Sequence, residues 1–154
     1  MQGVGYVNEL IARLTSQPVQ DETQTNRTLD SSPVTFPLNR TIYADFSHDN
    51  QMVAIYSAIG LFRQQEPLPT TNADPKRTWR ISRMTPFAGR MATEKLECAG
   101  RDFVRIFVDD ALQPLEFCGG NSSGMCSLEA FVESQRYARS NGEGDFQKCS
   151  TSAG

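Results

Sequence analysis

The chain has 154 residues, with 15 Lys and Arg against 18 Asp and Glu, a formal net charge of −3 and 38% apolar residues. That length supports one domain with a core of its own, and the charge balance excludes both a basic nucleic-acid binder and an acidic disordered tail. No apolar run is long enough to cross a membrane.

The first predicted element is a short amphipathic helix, because Val7, Leu10, Ile11 and Leu14 recur at one-turn spacing on a single face. Gly3-x-Gly5 just ahead of it lacks the third glycine and the preceding strand of a dinucleotide fingerprint, which excludes that reading. The opening residues have no basic region and no long apolar stretch, so no signal peptide is expected in this chain. Residues 15–40 are rich in Thr, Ser, Asp, Asn, Gln and Pro without helical period, and predict an extended surface connection.

Tyr43 to Phe46 has strand character and runs through Ser47 into the pair His48-Asp49. An apolar helical pattern follows over Asn50 to Leu61, with Met52, Ile55, Tyr56 and Ile59 as one stripe and Gly60 placed for a left-handed cap. Residues 43–61 therefore predict a strand-to-helix turn with an imidazole and a carboxyl at its tip. A helix start presents free N–H groups and a partial positive charge, which suit an anion such as phosphate. His48 could donate a hydrogen bond to it, and Asp49 could pass a proton to a leaving group. The plainer reading is a capped helix beside a surface histidine. His48 is, however, the one histidine of the chain, and it falls at this turn.

Arg63 to Arg77 is polar, carries prolines at 67, 69 and 75, and predicts a surface loop. The nearby basic residues Lys76, Arg77, Arg80, Arg83 and Arg90 are read as a solvated face. Thr85 to Glu97 predicts a strand leading into Cys98. Phe103–Val108 and Leu112–Phe117 flank Asp109-Asp110-Ala111 as a hairpin, with Val104, Ile106 and Val108 on one face. A last helix is capped by Ser127, turns Leu128, Phe131 and Val132 inward, and stops at Asn141-Gly142.

The cysteines stand at 98, 118, 126 and 149, with no Cys-x-x-Cys spacing. One histidine cannot complete a Cys2His2 set, so disulfides are expected rather than structural zinc. Asn26, Asn39 and Asn121 each open an Asn-x-Ser/Thr sequon, consistent with glycosylation in an oxidising, secretory setting.

YADFSHDN (43–50) resembles the His-Asp signature of the histidine acid phosphatases. GVGYVNELIARL (3–14), PVQD (18–21), NRTLD (26–30), TFPL (35–38) and PFAGR (86–90) narrow the resemblance to the secreted fungal phytases. The likeness extends to Cys149 but covers only the C-terminal part of that family's catalytic domain, so residues 1–154 are expected to be a segment of one such domain. It is weakest over Asp74 to Met84, to which no substrate contacts are assigned. The implied fold is α/β, part of a phosphoglycerate-mutase-like domain with helices packed on a mixed sheet.

The resemblance implies His48 as a phosphate contact and Asp49 as the general acid. It also implies a nucleophilic histidine in an Arg-His-Gly-x-Arg-x-Pro motif that this chain does not contain. The implied activity is that of a 3-phytase, releasing phosphate from inositol hexakisphosphate through a phosphohistidine, with no metal, no other cofactor and neither nucleic acid nor membrane as partner. A broad-specificity secreted acid phosphatase and a non-catalytic secreted glycoprotein module are the alternatives. The resemblance further pairs Cys118 with Cys126. It pairs Cys98 and Cys149 with cysteines outside this chain, leaving both unpaired here.

Overall fold

The computed structural model describes residues 2–22 and 27–148. Its first helix, α1 (Val4–Thr15), buries Val4, Val7, Leu10 and Leu14 and ends where Ser16 turns left-handed at φ 55°. A single helical turn, α2 (Arg27–Asp30), lies in the connection that follows. Helix α3 (Asp49–Ile59) buries Ile55, Tyr56 and Ile59 and is closed by Gly60 at φ 96°, as the apolar stripe and the glycine predict. The start of α1 and the middle of α3 meet closely: a Cβ built on Gly3 would lie 2.4 Å from the Ala54 carbonyl oxygen. Only glycine admits that approach.

The α/β expectation holds, with differences of detail. Helical turn α4 (Ile81–Met84) leads to strand β1 (Met91–Cys98), which pairs over its full length with β2 (Arg101–Val108), Met91 opposite Val108 and Cys98 opposite Arg101. Ala99 and Gly100 join them with positive φ of 52° and 72°, the backbone that a two-residue hairpin needs. On its other side β2 pairs with the short strands β3 (Ala111–Leu112) and β4 (Cys126–Ser127). The sheet expected to be mixed is antiparallel in every pairing among the described residues. The two-residue turns that join β1 to β2 and β2 to β3 allow nothing else for those pairs, since parallel neighbours need a long crossover.

Other predicted boundaries move for local reasons. The strand expected from Thr85 starts only at Met91, because residues 86–89 form a turn closed by the Gly89 N–H on the Pro86 carbonyl at 2.8 Å. The one expected from Leu112 to Phe117 stops at Leu112. Pro114, with no N–H to donate, precedes a 3-10 turn at Glu116–Cys118. The last helix divides into α5 (Leu128–Ser134) and α6 (Arg136–Arg139) at Gln135, whose side chain turns inward to donate to the Ile59 carbonyl at 3.1 Å. Ser127 caps α5 by accepting from the Ala130 N–H at 3.2 Å. Asn141 and Gly142, both at positive φ, stop α6 as expected, and a final turn, α7 (Asp145–Lys148), follows.

One core joins these parts. Val104, Ile106 and Val108 project from one face of β2, all buried, against Val4 and Val7 of α1, Tyr56 of α3, Leu115, and Phe131 of α5. Helix α1 is also tied to α6 through Asn8, which donates to the Ala138 carbonyl at 3.1 Å. No helix among the described residues is long and apolar enough to cross a membrane.

Candidate active site

His48 is the N-cap residue of α3, extended at φ −117° and ψ 162°, and its imidazole makes no capping hydrogen bond. Asp49 is the first helical residue; both side chains are exposed. The helix starts where the sequence predicts it, but its first turn is less open than expected. Asp49 Oδ1 accepts from the Asn50 N–H at 2.7 Å, and Asn50 Oδ1 accepts from the Gln51 N–H at 2.8 Å. The His48 carbonyl accepts from the Met52 N–H at 2.9 Å and closes the first turn. The second Asp49 oxygen has no hydrogen-bond partner among the described residues.

The segment leading to this pair is not a strand. Residues 42–48 form neither helix nor strand, and no backbone group from Thr41 to Ser47 pairs with another backbone group among the described residues. A strand needs a neighbour at its edge, and none lies there. Ile42 and Phe46 are 83% and 98% exposed. Asp45 instead binds Arg13 of α1 as a two-pronged ion pair, with Arg13 Nη2 on Asp45 Oδ1 at 3.1 Å and Nη1 on Oδ2. The guanidinium also sits 4.8 Å from the Phe36 ring centroid and 5.0 Å from that of Tyr43.

Charges around this clamp are coupled. Burial disfavours the Arg13 cation, but its hydrogen bond to Asp45 and the Asp45 charge outweigh that and hold the proton more tightly. Burial raises the Glu9 carboxyl against the pull of Arg13, and burial followed by the Asp45 charge pushes Tyr6 up to about 12. Tyr6, Glu9, Arg13, Asp45 and the β1 residue Glu94 line an open concavity of about 2450 Å³. That is larger than the roughly 300–1,000 Å³ of a small-molecule pocket, and neither His48 nor Asp49 lines it. It is a broad face of the molecule, bordered by Ser47 and Asn50 on either side of that pair.

The remaining predicted residues lie elsewhere. Cys118 and Cys126 form a disulfide with 5.9 Å between their Cα atoms, and Cys98 is exposed and unbridged among the described residues. Asn39 and Asn121 are exposed. The Asn121 side chain frames the disulfide loop, accepting from the Ser123 and Met125 N–H groups at 2.9 and 3.1 Å. Asn26 and Cys149 lie outside the described residues. The basic residues serve their own loops: Arg77 donates to the Asp74 carbonyl at 2.8 Å, Arg80 to the Arg77 carbonyl at 3.1 Å, and Arg90 pairs with Asp110. No group of three or more His, Cys, Asp or Glu among the described residues is placed to hold a metal ion.

Residues 1–109 match the family model of the histidine phosphatase superfamily, branch 2. The chain belongs to that family. The match includes His48, Asp49 and the Arg13–Asp45 clamp. Phytase A of Aspergillus awamori is 44% identical over 158 residues, covering 97% of this chain and 32% of that protein. Phytase A of Arthroderma benhamiae is 46% identical over 151 residues, covering 93% of this chain and 33% of that protein. This histidine phosphatase chain thus spans about a third of the length of the curated relatives it matches. Its fold resembles the crystal structure of the phytase from D. castellii, with a TM-score of 0.69 over 99% of this chain and 29% of that one, at 21% identity.

Sequence reasoning passed over Arg13. Four residues after Glu9 on a helix, it has the spacing of an ordinary surface ion pair. Its partner lies 32 residues away in sequence, and nothing local signals it.

Proposed function

We propose that this chain is the C-terminal segment of a histidine acid phosphatase domain and supplies the proton-donating half of a phosphomonoesterase site. His48 contacts the phosphate, and Asp49 protonates the leaving oxygen. The observation that supports this reading most directly is the placement of both side chains, exposed and side by side at the start of α3, with His48 making no cap and one Asp49 oxygen uncommitted. The reaction class is phosphoryl transfer from an alkyl phosphate, and the substrate is read as an inositol polyphosphate, by likeness to relatives named as phytases. The exposed sequons at Asn39 and Asn121 and the Cys118–Cys126 bridge support a glycosylated, secreted setting.

The chemistry divides between the two residues. An alkoxide is a poor leaving group, so a positioned acid accelerates its departure by roughly two to four orders of magnitude. An imidazole donating to a phosphate oxygen stabilises charge that every phosphate ester develops. Neither residue replaces an attacking group. With one histidine in the sequence, engaged at this turn, the 154-residue chain alone is expected to show no turnover at any pH.

Joining the chain to an N-terminal region that carries the family's Arg-His-Gly motif tests the assignment. In that protein Asp49→Asn keeps the shape and removes the transferable proton. Hydrolysis of inositol hexakisphosphate should then slow by roughly two to four orders of magnitude, while a nitrophenyl phosphate, whose phenolate leaves unaided, should lose far less. His48→Ala should impair both substrates. Equal loss on both for Asp49→Asn would remove the general-acid role, and turnover by the unjoined chain would overturn the division of labour.

A further inference from the structure

We infer that Arg13 is a positioning residue for the His48–Asp49 pair, acting through Asp45. The inference rests on the reading of that pair as phosphate contact and proton donor. Arg13 stands on α1, which is fixed in the core by Val7, Leu10 and Leu14 and by the close approach of Gly3 to α3. Its side chain is 13% exposed and meets the arm that leads to the pair, residues 41–47, in two ways, by a fork onto Asp45 and a ring contact with Tyr43; it also meets the Phe36 ring before the arm. Along the arm Tyr43 and Asp45 face α1, whereas Ile42 and Phe46 face outward.

Apart from Arg13, only Gln51 of α3 bonds the arm from another element among the described residues. From Thr41 to Ser47 the remaining hydrogen bonds among the described residues are local, from the Arg40 N–H to the Tyr43 hydroxyl and from Ser47 to Gln51. In a strand, backbone pairing would fix where the chain end points. Here the one long-range tie is the Arg13 guanidinium. Asp45 lies three residues before His48, at most about 10 Å along the chain, and Arg13 makes no hydrogen bond to His48 or Asp49 among the described residues. It sets the direction from which the chain enters α3. The planar fork suits this role, because it defines an orientation as well as a contact. A partly exposed ion pair adds little to global stability, which separates the positioning role from a purely structural one.

The sole histidine makes the test direct, since its ring proton signal in the 154-residue chain needs no assignment. Two quantities are read from it: transverse relaxation, which reports the order of the turn, and the shift on titration with inorganic phosphate. Arg13→Ala and Asp45→Asn should each make the His48 signal relax like that of a mobile side chain, and should weaken phosphate response by roughly tenfold to a hundredfold. The double variant should be no worse than the poorer single one, because both remove the same contact. Arg13→Lys should recover only part, since an ammonium cannot fork onto a carboxylate. Far-UV circular dichroism follows the fold; if Arg13→Ala loses it, Arg13→Lys and Asp45→Asn carry the comparison. Wild-type relaxation and phosphate response in those two variants would overturn the proposal. If the wild-type signal ignores phosphate, the phosphate reading of His48 falls, and relaxation alone then judges Arg13.

Discussion

Tyr56 is fully buried, and its hydroxyl has no hydrogen-bond partner among the described residues. Burial, then the charge of Asp109, pushes its ionisation up to about 12; Tyr6 reaches a similar value through burial and Asp45. Because the fold favours the neutral phenols, their contribution to stability is complete below the ordinary tyrosine pKa of about 10 and is lost as pH rises from there through about 12. Tyrosinate absorbance of the native chain should therefore lag behind that of the chain in urea across this window. Coincident titration curves would contradict the burial of both rings. Asp49 is the opposite case: exposed and bonded only to its neighbour, it holds nothing together. Asp49→Asn should shift stability by no more than about 0.5 kcal/mol, so its effect on catalysis can be read without a folding correction.

At the scale of elements, the pairing of α1 with α3 holds both ends of the site. Gly3 has backbone atoms on its open side, with Ala54 O, Ala54 C and Ile55 Cα at 2.4, 2.7 and 2.8 Å from a built Cβ. Backbone cannot swing aside as a side chain can. Gly3→Ala should accordingly destabilise by about 1–3 kcal/mol through overpacking. Gly100 in the β1–β2 turn is the matched control: a Cβ there meets nothing within 4 Å, and only its φ of 72° resists substitution. Gly100→Ala should cost about 1 kcal/mol from strain alone. Thermal melts of the two variants compare the effects, and a Gly3→Ala midpoint equal to wild type would show that the helices are not in contact there.

Across the whole molecule, apolar surface is left uncovered beside unpaired backbone. Ile42, Phe46 and Phe87 are 83%, 98% and 106% exposed, and the outer edge of β1 faces the concavity opposite the extended arm. Exposed apolar side chains and an unpaired strand edge favour association. The isolated chain should bind an apolar-surface dye and melt broadly, and joining it to the family's N-terminal region should suppress dye binding and sharpen the transition. A monomer that melts cooperatively without binding dye would contradict this.

The sequence by itself determined the elements whose signal is local. The period of Val7, Leu10 and Leu14 marked the buried face of α1, the alternation of Val104, Ile106 and Val108 marked that of β2, and Gly60 marked the end of α3. Those patterns are properties of a few turns of backbone and need no knowledge of what lies opposite. The His48-Asp49 turn was legible for the same reason, helped by the resemblance to a known family. Tertiary structure decided the rest. Tyr43–Phe46 has strand composition but no neighbouring edge, so it stays an unpaired arm. Gln135 ends α5 early because its amide reaches the Ile59 carbonyl, 76 residues away. Arg13 reads as a helix-surface residue until Asp45, Tyr43 and Phe36 are brought around it. Each of these depends on groups far apart in sequence meeting within hydrogen-bond reach, which the packing of α1 and α3 on the sheet alone decides.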